Sequence, residues 1–440
     1  MTLTQSEERS AVSGRMGSTW RPKTHPSPFF FGWWVVLTCA LGLFLGPTPI
    51  VGYSFGVFVR PLTQEFHASR GAVSLAFTLS STIVAFGLPF AGRLIDRFGP
   101  RRVVLPCMCG AALILLSAYF CQGKIWQLYL LYAAFGVVSC GLTSVSYGAV
   151  VSRWFDRFRG LALGLLMFGP GLGAFVMPTV AQYLIARFGW RVAFSIFGAA
   201  MLLITVPLLT RFLRERPEPM GLLPDGRGST SVRSPGTDSD AGLSWDQTWR
   251  TPAFRLLFCA CVLVSVSVHG CFAHIASIFA DRGALGQTAA FATSLFGAGV
   301  LVGRTGLGYL LDRFYAPRVA AIIFGCAAFG MGLLRLATSQ ELAFPAAFAI
   351  GLGLGAETDI MAYLTSRYFG LRSFGAIYGF LFAGFALAQG SGAYLMGAVF
   401  DIAGSYHFAL TFFCVVTLIG AGLMLGLGPY RYASPRGGKG

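Results

Sequence analysis

The chain has 440 residues, of which 55% are hydrophobic and only 11% charged, with a mean hydropathy of +0.67. That is more apolar surface than a soluble protein of this length can bury, which excludes a soluble globular class and leaves an integral membrane protein. A formal net charge of +16 would point to nucleic acid in a soluble protein, but here the positive residues sort by membrane side and no nucleic-acid partner is expected.

Crossing the hydrocarbon layer takes about 20 apolar residues per helix. Twelve such runs can be laid out along the chain. A barrel would show alternating segments of about ten residues, which are absent, so an all-α integral membrane fold of twelve transmembrane helices is predicted. Residues 1–28 are polar and do not resemble a cleaved leader. The first span, from about Phe30 to Val59, opens with Phe29-Phe30-Phe31-Gly32-Trp33-Trp34, rings suited to the headgroup level. Its far half holds Pro47, Pro49, Gly52 and Gly56, which predicts either unwinding against a water-filled cavity or a plain kink.

The second span runs from Gly71 to Gly92 and ends in Gly92-Arg93-Leu94-Ile95-Asp96-Arg97-Phe98-Gly99, followed by Pro100, Arg101 and Arg102. The third covers Val103 to Gln122. The fourth ends at Arg153-Trp154-Phe155, and the fifth begins at Gly160 and carries Gly164, Gly169, Gly171 and Gly173 around Pro170. Small residues at these intervals let helix backbones approach closely. Arg187-Phe188-Gly189-Trp190-Arg191 turns into the sixth span, which ends near Arg211.

Residues 213–252 are rich in proline, glycine and serine and read as a cytoplasmic linker. On this reading residues 1–28 form a cytoplasmic tail, 29–212 one six-helix bundle, 253–428 a second, and 429–440 a cytoplasmic tail. The second bundle repeats the first: Gly308-Tyr309-Leu310-Leu311-Asp312-Arg313-Phe314 returns the opening motif, with Asp312 lying 216 residues after Asp96. Arg367-Tyr368-Phe369 follows Arg153-Trp154-Phe155 by 214, and Gly375 and Gly379 follow Gly160 and Gly164 by 215. Two parallel six-helix repeats are the consequence.

Lysine and arginine number 25 on the segments assigned to the cytoplasm and 7 on the outer loops, with Arg304 inside a span. This predicts a multi-pass membrane protein with both termini cytoplasmic and anionic lipid as the neighbouring surface. The ten cysteines lie in or beside apolar runs without Cys-x-x-Cys spacing. They read as small core residues, and neither a metal, a cofactor nor an obligate protein partner is expected.

Charges inside spans carry the chemistry, because ionisable groups at membrane depth are costly and face a cavity or a partner. Arg304 lies eight residues before Asp312, which at about 1.5 Å per residue places it roughly 12 Å from the membrane boundary. Glu357 and Asp359 precede Arg367 by ten and eight residues, roughly 15 and 12 Å on the same scale. Two positions on a helix differ by about 200° of rotation, so one acid is expected to pair with Arg304 and the other to turn away. A guanidinium matches a carboxylate and keeps its charge when buried, so Arg304 is the expected anion anchor; a permanent ion pair is the alternative. The acid released by an entering anion could take up a proton. His269 and His274 lie about 140° apart in the seventh span, and of the two His274 is the one expected to face the cavity. Tyr53, Tyr147 and Tyr363 could offer hydroxyls to the substrate.

A helix-ending glycine, an Asp-Arg pair at fixed offset and further arginine, twice in register, resemble the loop between the second and third helices of major facilitator superfamily transporters. The resemblance implies the major facilitator fold of two pseudo-symmetric bundles. It makes Gly92, Asp96, Arg97 and Arg101, with Gly308, Asp312 and Arg313, a gating motif in which Asp96 meets the eleventh helix and Asp312 the fifth. Further stretches resemble the bacterial members of the monocarboxylate and oxalate:formate porter branch: Phe31-Gly32-Trp33-Trp34, Ser54-Phe55-Gly56-Val57-Phe58, Arg216-Pro217-Glu218, Gly303-Arg304 and Gly355-Ala356-Glu357. That branch has a carboxylate-anchoring arginine in the eighth span, which falls on Arg304. The resemblance to its bacterial members also implies the location, the plasma membrane of a bacterium, its inner membrane.

Animal members carry an acid one turn before that arginine and a lysine in the first span, where this chain has Val300 and Tyr53. Oxalate carriers have a lysine in the eleventh span, and residues 374–398 contain none. The expectation is therefore a secondary transporter, not an enzyme, moving a small monocarboxylate such as lactate or pyruvate with protons by alternating access. Gly169-Pro170-Gly171 resembles in part the proline-glycine signature of antiporter fifth spans, which keeps an efflux antiporter for a drug or other organic compound as the alternative. A membrane-embedded enzyme or receptor is the remote one, because no nucleophile, metal cluster or nucleotide loop has the needed spacing.

Overall fold

From Leu161 to Phe212 the chain is helical and apolar for 52 residues. At about 1.5 Å per residue that is more than twice the roughly 30 Å of the hydrocarbon layer, so the stretch must cross it twice. Gly189, with φ +77° and ψ 166°, makes the reversal at a backbone conformation that other residues rarely adopt. Next to it Arg191 donates to the Cys121 carbonyl and, at 2.7 Å, to Glu65.

The computed structural model describes residues 30–155, 158–220, 222, 242–337, 339–370 and 372–430. The expected N-terminal tail, residues 221 and 223–241 of the linker and residues 431–440 of the expected C-terminal tail lie outside these. So do the side chains of Asp96 and Asp312 and the surroundings of Gly308.

Among the described residues the protein is all-α, with eleven stretches long and apolar enough to span a membrane; the break at Gly189 makes them twelve crossings. The first crossing consists of α1 (Phe31–Phe44), a π-helical stretch Thr48–Tyr53 and α2 (Phe55–Phe66). The second is α3 (Arg70–Phe98) and the third α4 (Pro100–Ser117). The fourth is split into α5 (Ile125–Ser139) and α6 (Ser144–Trp154). Then α7 (Arg159–Ala200) and α8 (Val206–Phe212) carry the fifth and sixth. A short α9 (Trp245–Trp249) precedes the second half and packs both its tryptophans on Phe254 and Phe380. The second half comprises α10 (Pro252–Asp281), α11 (Gly286–Arg313), α12 (Ala316–Leu336), α13 (Gln340–Phe369), α14 (Phe374–Ala403) and α15 (His407–Leu425).

Arg97, Arg153, Arg211, Arg313 and Arg367 occupy the last turns of helices that all end on one face, where they also complement the negative helix ends. This is the basic face. Between the two halves, α3 packs on α14, α7 on α11 and α2 on α10. Among the described residues the close backbone approaches between the lobes lie in the half of the molecule away from the basic face. There the backbone around Arg70 meets Gly397, Thr78 meets Gly390 and Ala174 meets Gly297. Toward the basic face, Gly92, Gly164, Gly306 and Gly379 have nothing within 4 Å of where a Cβ would stand. The two lobes therefore touch along a distal seam and diverge toward the basic face.

Candidate functional site

Two broken helices and one tight helix crossing shape a cavity of about 290 Å³ between the lobes. Pro47 and Pro49 have no amide hydrogen to give, so the first crossing cannot continue as a regular helix. It widens into the π-helical stretch, and Ser54 donates to the Pro49 carbonyl at 3.1 Å, satisfying an acceptor that the break exposes. Tyr53, on the last turn of that stretch, lines the cavity with its ring edge-on to Phe272 at 5.6 Å. The fourth crossing stops at Thr143, which is extended, and restarts at Ser144; both residues line the cavity. The first turn of α6 thus presents its positive helix end to the same space.

Opposite, α11 and α13 cross through matched glycines. A Cβ on Gly303 would run into the Leu352 carbonyl, one on Gly351 into Phe296, and one on Gly355 into Val300. This close approach brings the residue after Gly303, Arg304, against α13. Its Nη2 donates to the Thr358 hydroxyl at 3.4 Å, and its Nε lies 3.8 Å from the Asp359 carboxylate, too far for a hydrogen bond. The buried Nε has no hydrogen-bond partner. Arg304 and Asp359 both line the cavity, and among the described lining residues Arg304 is the one cation. The rest of the wall includes Leu43, Met167, Leu354, Phe382, Phe385 and Gln389.

Asp359, not Glu357, is the acid beside Arg304. Glu357 is fully buried on the other side of α13, facing Cys261 and Ser265 of α10, and neither of its carboxylate oxygens has a hydrogen-bond partner. The histidines fall opposite to the sequence expectation. His269 lines the cavity; its Nδ1 lies 3.0 Å from the Ser265 carbonyl, to which it donates, leaving Nε2 for the cavity side. His274 sits fully buried in the distal seam, with Nδ1 at 3.0 Å from the Tyr406 hydroxyl and Nε2 at 3.1 Å from Ser74 and 3.0 Å from the Ala393 carbonyl. The angular argument separated the two rings, and the packing of α10 on α2 and α14, which turns His274 toward Ser74 and the Ala393 carbonyl, decides which one meets the seam.

Tyr147 and Tyr363 lie outside the cavity lining. Tyr147 is fully buried under Gly42 with its hydroxyl unpartnered. Tyr363 donates to the Leu311 carbonyl and accepts from Arg367 at 2.9 Å, tying α13 to α11 near the basic face. Of the gating motif, Gly92 and Arg97 stand near the end of α3 and Arg313 ends α11. Arg101 binds within its own lobe: its amide donates to Glu215 at 3.1 Å and its guanidinium to the Thr210 carbonyl at 2.7 Å. No three His, Cys, Asp or Glu side chains converge as a metal site among the described residues.

The distal seam carries a polar cluster that the sequence did not single out. Arg70, opening α3, makes a two-pronged pair with Asp281 at 2.6 and 2.7 Å and donates to Tyr406 at 2.7 Å, with its guanidinium 3.9 Å above the Phe400 ring. Asp401, from the other lobe, accepts the amides of Arg70 and Gly71 at 3.1 and 2.8 Å and so caps α3 from outside its own chain segment. A faint signal existed: an arginine at one span end and two aspartates at two others, all on the same membrane side.

The profile of the Major Facilitator Superfamily matches residues 41–356. The oxalate:formate antiporter of Oxalobacter formigenes is 29% identical over 363 residues, covering 79% of this chain and 81% of that protein. Monocarboxylate transporter 13 of Rattus norvegicus is 26% identical over 417 residues, 92% of this chain and 91% of that protein. Among solved structures, a bacterial homologue of the human lysosomal transporter Spinster, in an inward-facing and occupied conformation, superposes with a TM-score of 0.67 at 16% identity. The match covers 90% of this chain and 97% of that one, a likeness of fold.

Proposed function

Because the chain belongs to the Major Facilitator Superfamily and is a multi-pass membrane transporter rather than an enzyme, we propose that it carries a small monocarboxylate, of the lactate or pyruvate kind, together with a proton. On this reading the basic face is cytoplasmic by the positive-inside rule, the cavity opens to the cytoplasm, and the two lobes rock about it to alternate access. The observation that carries the proposal is Arg304. Among the described lining residues it is the one cation, held to Asp359 only at 3.8 Å and with a buried Nε that nothing accepts from. An entering carboxylate would take the planar fork that Asp359 leaves unfilled, and the positive first turn of α6 with the Tyr53 hydroxyl would face it from the other lobe. One cation suits a monoanion better than a dianion. The named activities of the two relatives, both concerned with carboxylates, support the same class.

Met167, Leu354, Phe382 and Phe385 line part of the remaining wall, and this apolar surface favours a second reading, export of a larger organic compound. Uptake of labelled lactate and pyruvate into proteoliposomes separates the two. The wild-type protein should show saturable uptake, and Arg304→Ala should lower it about a hundredfold, the loss of a charge-assisted pair worth about 3 kcal/mol. No carboxylate uptake, with export of organic cations or dyes that ignores Arg304, would overturn the proposal.

A further inference from the structure

We infer that the proton travelling with the substrate is held by Glu357 and reaches it from the cavity through His269 and Ser265, while Asp359 acts only as counter-ion to Arg304. The inference rests on the carboxylate reading above and adds the coupling residue to it.

Glu357 is the best-hidden acid of the two. It is fully buried, and neither carboxylate oxygen has a hydrogen-bond partner, whereas the Asp359 side chain is 45% exposed and stands beside a guanidinium. An ionised carboxylate without donors costs several kcal/mol in such a place, and a proton removes that cost. The groups around it are few. From α10 come Cys261, Ser265 and, one turn on, His269. Arg304 of α11 lies on the other side of α13, with Asp359, and Tyr378 of α14 stands near Arg304, Asp359 and Cys261. Packed on α13 as well, α12 offers the exposed Cys326 and arginines only at its ends.

A line of polar groups leads from the cavity toward this acid with one gap: the Ser265 hydroxyl donates to the Phe385 carbonyl at 3.4 Å and must turn from it to reach Glu357, whose oxygens have no hydrogen-bond partner. His269 lines the cavity, its Nδ1 lies 3.3 Å from the Ser265 hydroxyl, and that hydroxyl stands beside Glu357. In the transfer, cavity water gives a proton to Nε2 of His269. The imidazolium passes its Nδ1 proton to the Ser265 oxygen as that hydroxyl gives its own proton to the Glu357 carboxylate. The ring is left neutral as the other tautomer, and the reverse passage restores it. Net charge explains the coupling: an anion added beside Arg304 makes the site more negative, which favours protonation of the nearby acid. One anion and one proton then move without net charge.

Purified protein in proteoliposomes with a trapped pH dye tests this, with lactate and pyruvate as probes. Two quantities are read: exchange of labelled substrate at equal pH on both sides, and proton entry with pH-driven accumulation. In Glu357→Gln, proton entry and accumulation should fall at least ten times more than exchange does. Ser265→Ala should slow proton entry in the same sense, and Asp359→Asn should keep the proton signal per substrate. If the glutamine variant melts early, Glu357→Asp serves instead, with slower but still coupled transport expected. A wild-type proton-to-substrate ratio in Glu357→Gln, or a signal lost in Asp359→Asn alone, overturns the inference. Absence of exchange in the wild-type protein overturns the carboxylate reading and this inference with it.

Discussion

Replacing Arg70 with alanine should open the distal seam. In the structure its guanidinium spans the lobes with two bonds to Asp281 at 2.6 and 2.7 Å and one to Tyr406 at 2.7 Å. A buried charge-assisted hydrogen bond nets about 1.5–3 kcal/mol, and an exposed ion pair about 0–1. With side chains 15% and 31% exposed the pair lies between these limits, and about 2 kcal/mol for the whole set is a fair working value. That corresponds to roughly a thirtyfold change in the ratio of open to closed seam. The Asp401 cap remains, because it uses the main chain of Arg70 and Gly71. Genetically encoded spin labels at Gln64 and Leu285, on opposite lobes at the distal face, leave the native cysteines untouched and report the separation directly. The wild-type protein should show one short distance; Arg70→Ala should add a longer one at about thirty times its former weight, and Arg70→Lys, which lacks the fork, should fall between. Identical distance distributions in all three would refute the reasoning.

Asp359→Asn should tighten carboxylate binding. At 3.8 Å the attraction to Arg304 is about 4 kcal/mol at an effective dielectric of 20. The half-exposed carboxylate is partly screened, so a gain on the order of 1 kcal/mol, or a five- to tenfold lower Kd by calorimetry, is expected; weaker binding would show that Asp359 helps the anion rather than competes with it. Gly355→Val places a branched side chain against the Val300 carbonyl. Overpacking of this kind costs about 1–3 kcal/mol or more, so the melting temperature should drop and the lactate-induced thermal shift should vanish as Arg304 is displaced. An unchanged melting curve would contradict the close crossing of α11 and α13.

Apolar run length made the number of crossings legible, and the recurrence of Gly-x-x-x-Asp-Arg 216 residues apart made the doubling legible. Pro47 and Pro49 marked the break in the first crossing because their missing amides act locally. The pairing at the site did not follow as easily. Rotation by about 200° says that Glu357 and Asp359 diverge, but which one meets Arg304 depends on α13 crossing α11 at Gly355, a tertiary fact. The same holds for His269 and His274, where the docking of α10 against α2 and α14 makes the choice. The Arg70 cluster was hidden for another reason: its partners lie 211 and 331 residues away, and each charge alone is an ordinary loop charge.

Polar contacts in this molecule fall into two kinds with different consequences for motion. Arg304, Thr358, Asp359, Ser265, His269 and Glu357 all belong to the second lobe, and α11 and α13 are locked together by interleaved glycines. Arg70 with Asp281, Gly71 with Asp401, Ser74 with His274 and Thr78 with Gly390 each join one lobe to the other. Opening the seam must break every contact of the second kind and need not disturb the first. The charged set therefore travels as one body, while its distance from Tyr53 and from the first turn of α6, both in the other lobe, changes with the lobes. A ligand small enough for the cavity but long enough to touch Arg304 and Tyr53 together adds contacts between the lobes where the unliganded protein has few, and this is how occupancy of the cavity would bias the seam.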